Sequence, residues 1–214
     1  MATSKNGNNG FSGRLGKTVT YMLNGKMVQR GIGIQTKPPS PKRLPSLQIT
    51  GIVNAFLHPV KAFIKIGFAA EGKKAMKNAY SVATSYTRLN AIKGEYPNQM
   101  IDFEKVLFTK GDLPVQEEAT AEVVEGGVRF SWNPASSHPL QKPHDRSILM
   151  VYGIDTGDVF YQLNGNRRQI GSDNILIPNF NKIVRLETYL AFISSDQIEI
   201  SNSYYLGQLN YGTL

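Results

Sequence analysis

The residues best suited to chemistry are few and poorly spaced for it. His58, His138 and His144 are the only histidines, and cysteine is absent. Zinc takes nitrogen and sulfur ligands at short spacings, so the histidines do not make a zinc site by themselves and there is no thiolate nucleophile, which leaves a weak ion site open. There is no His-Glu-x-x-His pair, and His138 and His144 fall in a Pro/Ser-rich stretch where they read as solvated loop residues. A nucleophile elbow needs Gly-x-Ser-x-Gly, and the nearest string, Gly10-Phe11-Ser12-Gly13, breaks that spacing. A phosphate cradle must open a helix, but Gly31-x-Gly33 runs into Thr36 and a string of prolines. Asp155, Asp158, Asp173, Asp196 and Glu199 sit in or beside turn sequences, where carboxylates close turns more readily than they pair for acid/base work. The expectation is a non-enzymatic protein with no cofactor, no metal and no small-molecule substrate.

Charge is the stronger signal. Ten lysines and arginines precede the first carboxylate side chain at Glu71. Residues 1–110 hold 17 Lys+Arg against 4 Asp+Glu, whereas residues 111–214 hold 7 against 12. A basic half joined to an acidic half implies a negative partner for the basic half, on another molecule or another domain. Arg14, Lys17, Lys26 and Arg30 would steer such a contact, and Phe11, Tyr21 and Met27 would supply buried area. Lys37, Lys42 and Arg43 extend the basic set through a proline-rich stretch. The same residues could contact the phosphates of a nucleic acid, although no known nucleic-acid module is visible.

Three kinds of element must carry these residues. Residues 1–16 read as a flexible basic arm. Residues 17–110 read as a basic domain that opens with a hairpin at Asn24-Gly25, a dipeptide suited to the positive φ values of a type I′ turn. Helix is expected after Pro45: Ile49, Ile52, Val53, Phe56, Leu57 and Val60 form an apolar stripe, which Pro59 kinks or ends. A second stripe, Ala75, Ala79, Val82, Ala83, Tyr86 and Leu89, predicts a helix within Lys73 to Ile92 whose small residues admit a close neighbour. The apolar region from Ile49 to Phe68 is interrupted by His58, Pro59, Lys61 and Lys65, so no membrane span is expected. The polar N-terminus lacks the apolar stretch of a secretory signal, which points to the cytoplasm or an assembled particle and leaves signal-independent export open.

Residues 111–214 read as an acidic β-sandwich. Seven strands are expected at Ala119 to Val124, Val128 to Trp132, Ser147 to Ile154, Val159 to Leu163, Arg167 to Ile170, Ile183 to Ile193 and Gln197 to Leu206. That count fits an immunoglobulin-like or fibronectin-type sandwich, though it does not by itself separate one from a small barrel. The fold class is therefore α+β.

Several motifs can be set beside a family. Phe11-Ser12-Gly13-Arg14-Leu15-Gly16-Lys17, Asn24-Gly25-Lys26-Met27-Val28-Gln29-Arg30, Lys37-Pro38-Pro39-Ser40-Pro41-Lys42, Phe63-Ile64-Lys65-Ile66-Gly67-Phe68 and Asn90-Ala91-Ile92-Lys93-Gly94-Glu95-Tyr96-Pro97 are among them. With Ile101-Asp102-Phe103, Phe130-Ser131-Trp132 and Ser201-x-Ser203-x-Tyr205, they resemble an uncharacterised family of Bacteroidota proteins of about this length. The resemblance implies one architecture over nearly the whole chain and a source in such bacteria or an element replicating in them. It carries over no site residue. The function expected is structural: a homo-oligomer or homopolymer, as in a filament, virion or surface array, joined head to tail through its basic front and acidic sandwich. Nucleic-acid binding through the same front is the first alternative. The second is an adhesin-like or carbohydrate-binding sandwich using Trp132, Tyr152, Phe160 and Tyr161.

Overall fold

The computed structural model describes residues 3–4, 11–23, 25–34, 36–114, 118–135 and 138–212. The chain divides into two compact units, Met1–Pro41 and Lys42–Leu214.

The first unit is one antiparallel sheet in the order β1 (Thr3–Ser4), β2 (Phe11–Leu15), β3 (Thr18–Leu23), β4 (Lys26–Gly31). The β3–β4 hairpin forms where the sequence predicts it, with Leu23 paired to Lys26 and Gly25 at φ +76°. Asn24 itself lies outside the described residues. Phe11–Leu15, expected within a flexible arm, is instead a strand. A second tight turn at Gly16 (φ +56°) returns the chain to Thr18, whose hydroxyl donates to Leu15 O at 3.0 Å. Residues 5–10 of that arm lie outside the described residues. None of the described side chains in this sheet is buried.

The second unit begins with a 3-10 turn, Pro41–Arg43, and four helices: α1 (Leu44–Leu57), α2 (Lys61–Gly67), α3 (Ala69–Lys74) and α4 (Ala79–Asn90). Pro45 occupies the first turn of α1, where its missing N–H costs nothing. Pro59 ends that helix as expected, and α2 leaves at 89° to it. Among the described residues no single helix is long and apolar enough to cross a membrane.

The helix expected over 73–92 starts later, because the side chain of Asn78 accepts from Tyr80 N at 2.8 Å and caps α4. Ala83 and Thr87 are buried, while Ala75 lies outside α4 and is exposed, and Leu89 is 79% exposed. The close approach expected of the alanines is made instead by Gly72, whose missing side chain leaves room for the backbone at Lys77 and Ala79.

A short ribbon, β5 (Ile92–Lys93) and β6 (Met100–Ile101), then leads to a 3-10 turn at Phe103–Lys105 and seven further strands. These are β7 (Ala119–Val124), β8 (Gly127–Trp132), β9 (Arg146–Gly153), β10 (Val159–Gln162), β11 (Ser172–Leu176), β12 (Val184–Ile193) and β13 (Tyr204–Tyr211). They form a three-stranded sheet, β11-β8-β7, and a four-stranded sheet, β10-β9-β12-β13, all antiparallel. Taken in chain order, the first, second and fifth strands face the fourth, third, sixth and seventh, an immunoglobulin-like arrangement within an α+β whole.

Two strands differ from expectation. Arg167–Ile170 is not a strand, because Arg168 is buried in a 3-10 turn with its guanidinium 3.7 Å from the centroid of the Phe192 ring and its Nε 3.5 Å from Asp145. The fifth strand follows it at Ser172. The last begins at Tyr204 rather than Gln197, since 197–203 turns and makes isolated bridges at Ile200 and Ser201.

Two apolar clusters lie on opposite faces of the four-stranded sheet. Leu149, Val151, Leu186, Leu190 and Phe192 meet Val128, Phe130 and Trp132 of the other sheet. Ile148, Met150, Tyr152, Tyr189 and Ala191 meet Val53, Phe56, Phe63, Ile64 and Phe108. The charge break near residue 110, expected as a boundary between domains, therefore lies inside the second unit, whose helices cover the sheet. Gly67 sits where this cover is tightest: an added methyl would overlap Phe108 O, and Lys110 N donates to Gly67 O at 2.9 Å. Gly67→Ala is expected to lower stability by about 1–3 kcal/mol through overpacking, read as a lower urea midpoint with an unchanged slope.

Candidate assembly surface

Register and alternation sort the basic residues. In the first unit Val19 lies between Arg14 on β2 and Arg30 on β4, Tyr21 faces Val28, and Leu23 faces Lys26. Directly opposed residues share a face, and alternate residues along a strand return to it. One face therefore carries Arg14, Lys26 and Arg30 around Val19, Tyr21 and Val28. The opposite face carries Met22 and Met27, 57% and 45% exposed, with Leu15, Thr18, Thr20 and Gln29. The three cations are exposed, and residues 1–41 contain no carboxylate side chain to neutralise them.

The expected contact set is thus brought together in part. Arg14, Tyr21, Lys26 and Arg30 share a face. Lys17 sits in the β2–β3 turn, and Met27 points to the other side. The backbone of Phe11 pairs with Ser4. Lys37 is exposed in the proline-rich stretch, while Lys42 and Arg43 belong to the turn that opens the second unit.

The acidic half resolves into exposed and engaged groups. Glu118, Glu122 and Glu125 are exposed along β7 and its turn, the outermost strand of the three-stranded sheet. Among the described residues a loose pair, Glu122 to Arg129 at 3.8 Å, joins one of them to the neighbouring strand. The carboxylates singled out in the sequence close turns. Asp173 is buried and accepts from Ser147 Oγ at 2.6 Å and Asn166 N at 2.7 Å. Asp196 accepts from Ser194 Oγ and Ile198 N, which hold its carboxyl below the usual carboxylate range. Asp155 accepts from the guanidinium of Arg185 and from its backbone N–H, which in that order hold it down at about 2. Asp158 and Glu199 are exposed beside turns.

His58 and His144 are exposed, and His138 Nδ1 accepts from Leu140 N at 3.2 Å. Of the aromatic residues proposed for a sugar site, two are buried, Phe160 is half-buried and Tyr161 is 42% exposed. Trp132 is buried with its Nε1 donating to Arg168 O at 2.7 Å, and Tyr152 is buried against Phe56. Phe160 packs on the inter-sheet cluster, and the Tyr161 ring lies 5.2 Å from Phe63.

One cluster has no sequence signal. A cleft of about 670 Å³ between the β5–β6 ribbon and the four-stranded sheet is lined by Asp102, Glu187, Tyr205 and Gln208, with Lys93 and Arg185 at its rim. Glu187 lies in the largely apolar strand β12 and is 2% exposed. Its two oxygens accept from Tyr205 Oη at 2.6 Å and Gln208 Nε2 at 2.8 Å. Burial, and then the adjoining carboxylate, pushes the Tyr205 phenol up. Both oxygens are engaged by β13, so the cluster acts as a strut between β12 and β13.

Residues 46–207, from α1 to most of β13, match the family of unknown function DUF6266. The chain belongs to that family. The matched span begins after the N-terminal unit. No curated protein and no solved structure matches the chain.

Glu187→Ala is expected to cost about 1–3 kcal/mol in chemical denaturation, because it removes both hydrogen bonds that tie β12 to β13 there. For Asp155 the folded value lies below the ordinary 3.8. Its pairing therefore stabilises the fold above about pH 4 and is lost as pH falls toward 2. The melting temperature of Asp155→Asn should lie below that of the wild type at pH 7 and meet it near pH 2.

Proposed function

We propose that this is a non-enzymatic structural protein that self-associates head to tail, its basic N-terminal sheet docking on the acidic sandwich of a second copy. A filament, virion or surface array is the kind of product such a subunit makes, in a bacterium of the Bacteroidota or an element replicating there. The observation that carries this reading is the N-terminal sheet. It is a single layer in which none of the described side chains is buried, yet one face combines half-buried Val19, Tyr21 and Val28 with three exposed cations, Arg14, Lys26 and Arg30. A single-layer sheet with no buried side chain gains from any surface that covers its apolar residues. The sandwich supplies the opposite charge at Glu118, Glu122 and Glu125. A heterologous contact of this kind need not close, and if it does not it extends.

Light scattering tests the reading. The apparent mass of the full-length protein should rise above the 23.7 kDa of one chain as concentration increases. The Arg14→Glu/Lys26→Glu/Arg30→Glu variant should stay at one chain's mass. A wild type that remains monomeric at high concentration overturns the proposal. If that monomer also retards DNA with a log–log salt slope near about −2.7, the three cations serve a polyanion instead.

A further inference from the structure

We propose that β4 of one copy adds as an antiparallel strand to the edge of β7 in a second copy, with Lys26 opposite Glu122 and Arg30 opposite Glu118. This rests on the assembly reading and specifies its contact. Both strands end their sheets: among the described residues β4 pairs only with β3, and β7 only with β8.

The hairpin registers fix which backbone groups are left over. In a two-residue hairpin the closing pair is hydrogen-bonded, and bonded pairs then recur at every second residue. With Leu23 closing on Lys26, the bonded residues of β4 are Lys26, Val28 and Arg30, and Ile32 N continues the series to Lys17 O at 2.7 Å. Met27, Gln29 and Gly31 therefore turn their N–H and C=O groups to the open edge. With Val124 closing on Gly127, the same rule leaves Ala119, Ala121 and Val123 facing outward on β7.

Antiparallel addition must oppose outward-facing residues. Setting Met27 against Ala121 and Gln29 against Ala119 does so. That alignment places Val28 opposite Thr120 and brings both charge pairs together, because Lys26 and Arg30 are spaced by four residues and so are Glu118 and Glu122. Slipping by one residue opposes backbone groups that are already bonded. Slipping by two separates both ion pairs. The weak Glu122–Arg129 contact shares its carboxylate with the incoming Lys26.

Charge also works against self-pairing in the registers centred on Val28 and on Thr120. Antiparallel self-pairing of two β4 edges about Val28 opposes Lys26 to Arg30, and self-pairing of two β7 edges about Thr120 opposes Glu118 to Glu122. Like charges at opposed positions disfavour both, and only the mixed pair gains two opposed ion pairs. On the other face, exposed Met27 would lie beside Ala121 and half-exposed Val123, which borders a groove shared with Asn210 and Tyr211 of β13. The added strand would thereby find apolar contact as well as backbone partners.

The chain has no cysteine, which makes the register directly testable. Val28→Cys and Thr120→Cys would stand at a non-hydrogen-bonded pair, about 4.5 Å apart at Cα, within disulfide range. Mixing these two single variants under mild oxidation should give a covalent heterodimer of twice the chain mass. Gln29→Cys mixed with Thr120→Cys should not, since those side chains would point to opposite faces. Independently, Lys26→Glu/Arg30→Glu and Glu118→Lys/Glu122→Lys should each stay at one chain's mass alone and should assemble when mixed. If the wild type assembles but neither the cross-link nor the rescue by mixing occurs, this contact is wrong while the assembly reading stands. A wild type monomeric throughout overturns both. A Val28→Cys/Thr120→Cys double variant that cross-links only within single chains shows pairing in cis and overturns the intermolecular contact.

Discussion

The second unit depends on covering both faces of one sheet. In β9 and β12 nearly every residue is buried, so neither strand has a solvent side, and the chain must supply a layer above and a layer below. The three-stranded sheet forms one layer. The helices, the Phe103 turn and Phe108 form the other, with aromatic edges meeting at Phe56–Tyr152 and Phe108–Tyr189. At roughly 25 cal/mol per Å² of apolar surface, burial on two faces is the dominant favourable term for a unit of this size. The polar exceptions are each bound in place: Glu187 by Tyr205 and Gln208, Asp173 by Ser147 and Asn166, Arg168 by Asp145 and the Phe192 ring.

The first unit stands in contrast. Its sheet has the same strand chemistry but no second layer of its own, and six lysines and arginines without a carboxylate among residues 1–41. A sheet of this kind carries its missing parts on another surface. The open edge of its sheet at β4 carries Lys26 and Arg30 and the open edge of the sandwich at β7 carries Glu118 and Glu122, so the two edges match in sign as well as in kind. In that account the charge asymmetry is a means of choosing which edges meet.

Much of the fold was legible because local chemistry decided it. The Asn24-Gly25 turn, the stop at Pro59 and five of the seven sandwich strands follow from turn residues and alternation. The failures share a cause: tertiary contacts overrode a local pattern. Arg167–Ile170 alternates like a strand, but its arginine is drawn into the core by Phe192 and Asp145. Leu89 continues a helical stripe, but the layer it would pack on ends before it. The strand at Phe11 was hidden by its glycines, which read as flexibility where Gly16 in fact makes a turn. The composition change near residue 110 reflects which residues remain exposed in each half, while the core runs straight across it. At the candidate surface, the basic residues were legible as a set but their faces were not, since only the register shows that Arg14, Lys26 and Arg30 point one way and Met27 the other. Glu187 gave no signal, being a lone acid in a largely apolar run.

The central claim is that the open edges of β4 and β7 complete one another between copies. Residue-resolved amide hydrogen exchange, measured across a dilution series, tests it most directly. The account predicts that the amides of Met27, Gln29, Ala119 and Ala121 exchange quickly when dilute and slow together as concentration rises. Exchange at these four positions that does not change with concentration would contradict it.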